Sequence, residues 1–168
     1  MATKSGARKN AAIQHVAFGN VDWDMGPFGL IQYAQDFAEA ARRLPTPKDF
    51  APARYYMACH AIELGLKAFL ALQGQPVAEL IDAYGHNIEK AMTDAVTKGL
   101  LATVPLSKVQ HSTIVKASRY YNDKVFEYPA LPEAVKGYPD RPVAHFLMSA
   151  AELLVEHLYV PCRDWANR

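Results

Sequence analysis

Tyr56, His60, Glu63 and Lys67 stand at i, i+4, i+7 and i+11. On a helix those offsets fall along one line. The four side chains together can manage protons. An imidazole titrates near neutrality, a carboxylate accepts, an ammonium fixes negative charge, and a phenol passes a hydrogen bond on. The residues around them, ACHAIELGLKAFLAL, are otherwise mostly apolar. An unpaired charge in such surroundings costs on the order of several kcal/mol or shifts its pKa. The stripe must therefore satisfy itself or reach a surface. Glu63 followed by Lys67 is the favourable order for an ion pair one turn apart. Two readings follow. In one, the stripe is a structural ladder that leads to solvent or to a second subunit. In the other, His60 and its neighbours line a site, because clustered titratable groups are where proton transfer is arranged.

Arg54 precedes His60 by six positions. A guanidinium can hold a phosphate and an imidazole can move a proton, a pairing suited to cleaving a phosphodiester. Six helical steps turn through about 240°, so Arg54 and His60 do not share a face and would converge only with help from another subunit. An Arg-to-His gap of this size also arises by chance about once in a chain of this composition.

No histidine has a partner at metal-ligand spacing, and no H-E-x-x-H is present, so neither a metal nor a cofactor is expected; a metal site assembled from distant residues stays open but has no support in the sequence. Glycine-rich phosphate loops and G-x-S-x-G are absent too.

The stripe needs a helix to carry it, and the pattern supplies one. From Arg54 to Gln73 nearly every face is apolar. A helix that is greasy all round sits in the middle of a bundle. It starts near Asp49 or Phe50, with Asp49 as cap and Pro52 in its first turn, and stops at Gly74. A preceding helix is predicted over Pro27 to Leu44, with Ile31, Ala34, Phe37, Ala38, Ala41 and Leu44 on its inner face and Pro45 and Pro47 ending it. Shorter helices are predicted over Pro76 to Tyr84 and from about His86 or Asn87 to Lys98. Another spans Pro105 to Asp123. The proline-rich stretch Lys124 to Pro142 reads as an ordered loop anchored by Phe126, Tyr128 and Tyr138. A last helix begins near Arg141 with Asp140 as cap, and kinks or ends at Pro161. No run alternates with period two, so no sheet of consequence is expected.

The fold class is all-α: an antiparallel, up-down helical bundle of four main helices with short extra helices. Residues 1–25 read as a flexible N-terminal extension and 26–168 as one domain. Hydrophobic residues at 51% supply a core and exclude wholesale disorder. Cys59 and Cys162 lack paired spacing and read as reduced thiols, which points to a cytoplasmic setting. Charged residues interrupt every long apolar stretch, so no membrane span is expected. Net charge is +1, which gives no global field for nucleic acid; contact with RNA would need a local patch.

The segment Ala58-Cys59-His60-Ala61-Ile62-Glu63-Leu64-Gly65-Leu66-Lys67-Ala68-Phe69-Leu70, with the later Tyr84-Gly85-His86-Asn87-Ile88-Glu89-Lys90, resembles HEPN-domain proteins. In that family of small prokaryotic helical bundles a helix reading A-x-E-x-x-L-K-A-x-L is followed by a helix start of the G-H-D-L type. Asn87 stands where an Asp is usual. Arg119-Tyr120-Tyr121-Asn122 with Glu127-Tyr128-Pro129 resembles the family's later Y…R-Y-P stretch.

The resemblance implies a HEPN-like bundle that forms a homodimer. It also implies a toxin–antitoxin or defence role beside a nucleotidyltransferase-type partner protein, with RNA as a ligand. Some relatives are metal-independent ribonucleases that use an Arg and a following His across the dimer. Carried over, that assigns Arg54 and His60 as catalytic, although Tyr55 follows Arg54 where the family has a polar residue. Tyr56, Glu63, Lys67 and Arg119 are then candidate binding residues. Three functions stay open: a non-catalytic or weakly catalytic binding module, a ribonuclease, and a purely structural interaction protein.

Overall fold

A computed structural model describes residues 15–18, 21–24, 26–45, 50–129 and 131–168. Two short strands, β1 (His15–Phe18) and β2 (Val21–Asp24), pair antiparallel with His15 opposite Asp24 and Phe18 opposite Val21. They form where the sequence predicted only a loose extension. The other positions of 1–25 lie outside the described residues. Helices make up the rest: α1 (Pro27–Arg43), α2 (Pro52–Leu72), α3 (Val77–Tyr84), α4 (Ile88–Thr97), α5 (Leu100–Thr103), α6 (Lys108–Asn122), α7 (Leu131–Val135) and α8 (Ala144–Ala166). The class is all-α, with β1 and β2 as a small addition. Among the described residues no helix is long and apolar enough to cross a membrane.

Helix α2 is the hub. It packs against α1, α3, α4, α6 and α8, as a helix apolar on nearly every face must. Ile62, Leu66 and Leu70 are fully buried, each contributing about 1.5–3 kcal/mol over its exposed state. Gly65 lets α8 come close: a Cβ built there would lie 3.1 Å from the Cβ of Leu154. Cys59 and Cys162 are both buried, and neither forms a disulfide among the described residues.

The helix ends follow local rules. Pro27 and Pro52 open α1 and α2, where a missing N–H leaves nothing unpaired. Ala51, with no side-chain cap, stands at the N-cap of α2; the expected cap Asp49 lies outside the described residues. Ser107 caps α6 through a reciprocal box with Gln110, a signal the sequence carries as S-x-x-Q.

Three expectations are corrected. The final helix begins at Ala144 with Val143 at its cap, and Asp140 sits in the preceding turn at φ +59°, so it caps nothing. Helix α8 also runs through Pro161 to Ala166, its apolar face held by Leu154, Leu158 and Cys162. In the proline-rich stretch Phe126 is buried, but Tyr128 is 63% exposed and does not enter the core.

The close approach at Gly65 yields a prediction. Gly65→Val should lower the free energy of unfolding by about 1–3 kcal/mol, because a branched side chain must displace Leu154. Gly65→Ala should be near neutral, since a gain of up to about 1 kcal/mol in helix propensity offsets the tight contact. Urea titrations of the two variants check both.

Candidate functional site

The stripe on α2 does not close on itself. Its carboxylate collects side chains from three parts of the chain. Glu63 is buried, with its side chain only 5% exposed. Lys67 donates to Glu63 Oε1 at 2.6 Å, the ion pair expected from one-turn spacing. The same ammonium donates to the carbonyl of Gly85 at 2.8 Å, which ties α2 to the turn between α3 and α4. Gly85 adopts φ +50°, a conformation suited to glycine, and so presents its carbonyl to Lys67 as the chain turns into His86.

Oxygen Oε2 of Glu63 faces the other partners. The Tyr121 hydroxyl, from α6, donates to it at 2.6 Å. His86 Nδ1, just before α4, lies 3.0 Å away. His60 Nδ1 lies 3.4 Å from Oε2 and 2.7 Å from the Tyr121 oxygen. An ionised carboxylate only accepts, so His86 carries its proton on Nδ1. Tyr121 spends its one proton on Glu63, so the His60 Nδ1–H donates to Tyr121. The result is a relay, His60 to Tyr121 to Glu63, in which the basic nitrogen of His60 is Nε2.

Two supports hold α4 and α6 in place. Asn87 caps α4 by accepting from the Lys90 backbone N–H, and Ser118 on α6 accepts from the Glu89 backbone N–H. The start of α4, and with it His86, is thereby fixed to α6.

Aromatic rings cover the cluster. Tyr56 lies nearly parallel to His60, at 5.8 Å between centroids and 8° between planes. Phe37 of α1 meets the His60 ring edge-on at 4.4 Å. Tyr121 meets His86 edge-on at 5.5 Å. The cluster reaches solvent through its histidines: the side chain of His86 is 47% exposed and that of His60 20%.

The electrostatics follow from this packing. Burial pushes the Glu63 carboxyl pKa up, but the polar side chains of His60, Lys67, Tyr121 and His86 around it outweigh that effect and hold the value at about 2. Burial raises the Tyr121 pKa, and the adjacent Glu63 charge raises it further. The Tyr56 phenol is raised by burial and by Glu127 and Glu63. Both phenols therefore act as neutral hydrogen-bonding groups.

Of the residues singled out from sequence, Tyr56, His60, Glu63 and Lys67 share this centre. Arg54 and Arg119 do not join it. Arg54 donates to the sulfur of Met148 on α8, and stands about 120° around α2 from His60. The guanidinium of Arg119 lies over the Tyr120 ring at 5.5 Å, about 200° around α6 from Tyr121. His86 and Tyr121 were missed as site residues. Both lie in the motifs Tyr84-Gly85-His86-Asn87 and Arg119-Tyr120-Tyr121-Asn122, but no helical spacing links them to α2. Spacing also predicted no metal-ligand set, whereas the fold brings donor atoms of His60, Glu63 and His86 within 4.8 Å of one another. A shallow depression of about 350 Å³ between α1 and α8, lined by Asp36, Glu39, Arg42, Glu152 and Glu156, shares no residue with this centre.

Replacing Glu63 by Leu should cost about 3–5 kcal/mol, because the Lys67 ammonium is left buried without its counter-charge. Adding Lys67→Met should recover much of that loss. The pH dependence has a definite sign. A carboxyl lowered from 4.5 to about 2 stabilises the fold above pH 4.5, and this stabilisation is lost as pH falls toward 2, a change on the order of 3 kcal/mol. Over that interval the unfolding free energy of the parent should fall more steeply than that of Glu63→Leu, as urea titrations at stepped pH can show. Comparison with known proteins adds no name to this centre: no family model matches the chain, and searches of curated proteins and of solved structures give no significant match.

Proposed function

We propose that this chain is a HEPN-like helical module that binds a nucleotide-bearing ligand, a short single-stranded RNA or a nucleotide, at the aromatic rim of the Glu63 centre. The observation that carries this reading is the parallel Tyr56–His60 pair, set over a carboxylate that pins His60 through Tyr121. Flat rings at a partly open surface give a base something to stack on, whatever its identity. The imidazoles of His60 and His86 can hydrogen-bond a base edge or a ribose hydroxyl. A net charge of +1 suits a short ligand held by stacking better than a duplex held by its phosphates. In this reading the module is a homodimer of antiparallel four-helix bundles. It serves a toxin–antitoxin or defence system beside a nucleotidyltransferase-type partner.

A second reading, metal-independent ribonuclease activity, has one specific support. The relay leaves His60 with a basic Nε2 and a fixed ring, the arrangement a general base needs. Arg54 would have to come from the other subunit, because its own side chain engages Met148.

One series of assays separates the two, with light scattering on the same samples to establish whether a dimer is present. In chelator, fluorescence anisotropy with a labelled single-stranded RNA should show saturable binding, weakened about tenfold by Tyr56→Leu. Absence of saturable binding at millimolar protein removes the ligand reading. Cleavage of that RNA by the parent but not by His60→Ala would establish the ribonuclease, and intact RNA at high protein concentration would exclude it.

A further inference from the structure

We propose that His60, Glu63 and His86 form a binding site for a divalent transition-metal ion, held by the two imidazole Nδ1 atoms and by Oε2 of the carboxylate. Their donor atoms lie within 4.8 Å of one another. From Oε2 the separations are 3.4 Å to His60 Nδ1 and 3.0 Å to His86 Nδ1. Bonds of about 2.0–2.1 Å at tetrahedral angles place neighbouring donors roughly 3.4 Å apart, and right angles bring them to roughly 3.0 Å. Both separations from Oε2 therefore already suit a bound ion, and the two imidazoles lie within 4.8 Å of each other.

Two imidazoles and one carboxylate select for the iron-to-zinc part of the series over magnesium or calcium, which prefer all-oxygen shells. The surroundings also suit a metal. Lys67 occupies Oε1 and so directs Glu63 to bind through Oε2 alone. Its own anchor on the Gly85 carbonyl fixes the carboxylate from behind, as outer groups commonly do. Tyr121 borders the site, its hydroxyl within hydrogen-bond distance of both Oε2 and His60 Nδ1. Solvent reaches the site past His86, whose side chain is 47% exposed, which gives an ion a way in.

The protons balance simply. Each imidazole moves its Nδ1 proton to Nε2 and binds as a neutral ligand, and Glu63 binds as the carboxylate it already is. The nearby Lys67 charge opposes the ion, so the site is weaker than closed four-ligand zinc sites. The inference does not depend on a nucleotide ligand, and its test uses none.

The test is a Co²⁺ titration of untagged, chelator-stripped full-length protein, read by visible d–d absorption. A saturable one-to-one band, displaced by Zn²⁺, is expected. It should weaken by about 10–100-fold or more in His86→Ala and remain unchanged in His157→Ala. Circular dichroism verifies that His86→Ala keeps its helices. In the parent protein, added Zn²⁺ should shift the imidazole resonances of His60 and His86 and leave those of the other histidines in place, a readout that needs no variant. No d–d band at millimolar Co²⁺, a band of undiminished affinity in folded His86→Ala, or resonance shifts confined to other histidines would each overturn the site.

Discussion

A single carboxylate inside a helical core constrains much of the rest of this molecule. Glu63 sits on the most buried helix of the chain, where an uncompensated charge is not tolerable. Lys67 supplies the counter-charge within α2, but one ammonium leaves the second oxygen unanswered. Tyr121 and His86 answer it from α6 and from the start of α4. The polar contacts of the centre therefore specify how these helices sit against α2. Apolar packing alone would allow neighbouring arrangements of similar burial, whereas a displaced α6 would strand the Tyr121 hydroxyl and unbalance Glu63.

The same groups that stabilise Glu63 link it to solvent. His86 is half-exposed and His60 partly so, while the charge they address is almost wholly enclosed. Structural need and chemical opportunity coincide at this centre: the contacts that compensate a buried charge also orient two imidazoles and a phenol at a rim. Arg54, whose guanidinium donates to a methionine sulfur, and the acidic depression between α1 and α8 lie apart from this centre.

Much of this was legible in the sequence, and the division has a physical basis. Helix α2 announced itself because continuous apolarity over twenty residues admits few other burials. The Glu63–Lys67 pair followed from helical spacing alone. The bounds of α1, α3 and α4 followed from proline, glycine and Asn87. What stayed hidden was whatever depends on distance across the fold. His86 and Tyr121 reach Glu63 only once α4 and α6 are packed, and no periodicity within one helix encodes that meeting. Asp140 looked like a helix cap because Asp–Arg–Pro is a common start, but the chain spends those residues in a turn with positive φ. Pro161 read as a kink or an end because it lacks an N–H; the helix does not end there, and burial of Leu158 and Cys162 against the core keeps α8 going past it.

The central claim is that Glu63 stays ionised inside the core because four neighbours hold it so. The most direct measurement is a ¹³C-carboxylate titration of Glu63 by nuclear magnetic resonance in the folded protein. The account predicts that the side-chain carboxyl shows no protonation through pH 4 and titrates only near about 2. A midpoint at or above the ordinary glutamate value would show that burial outweighs the hydrogen bonds, and would contradict the account.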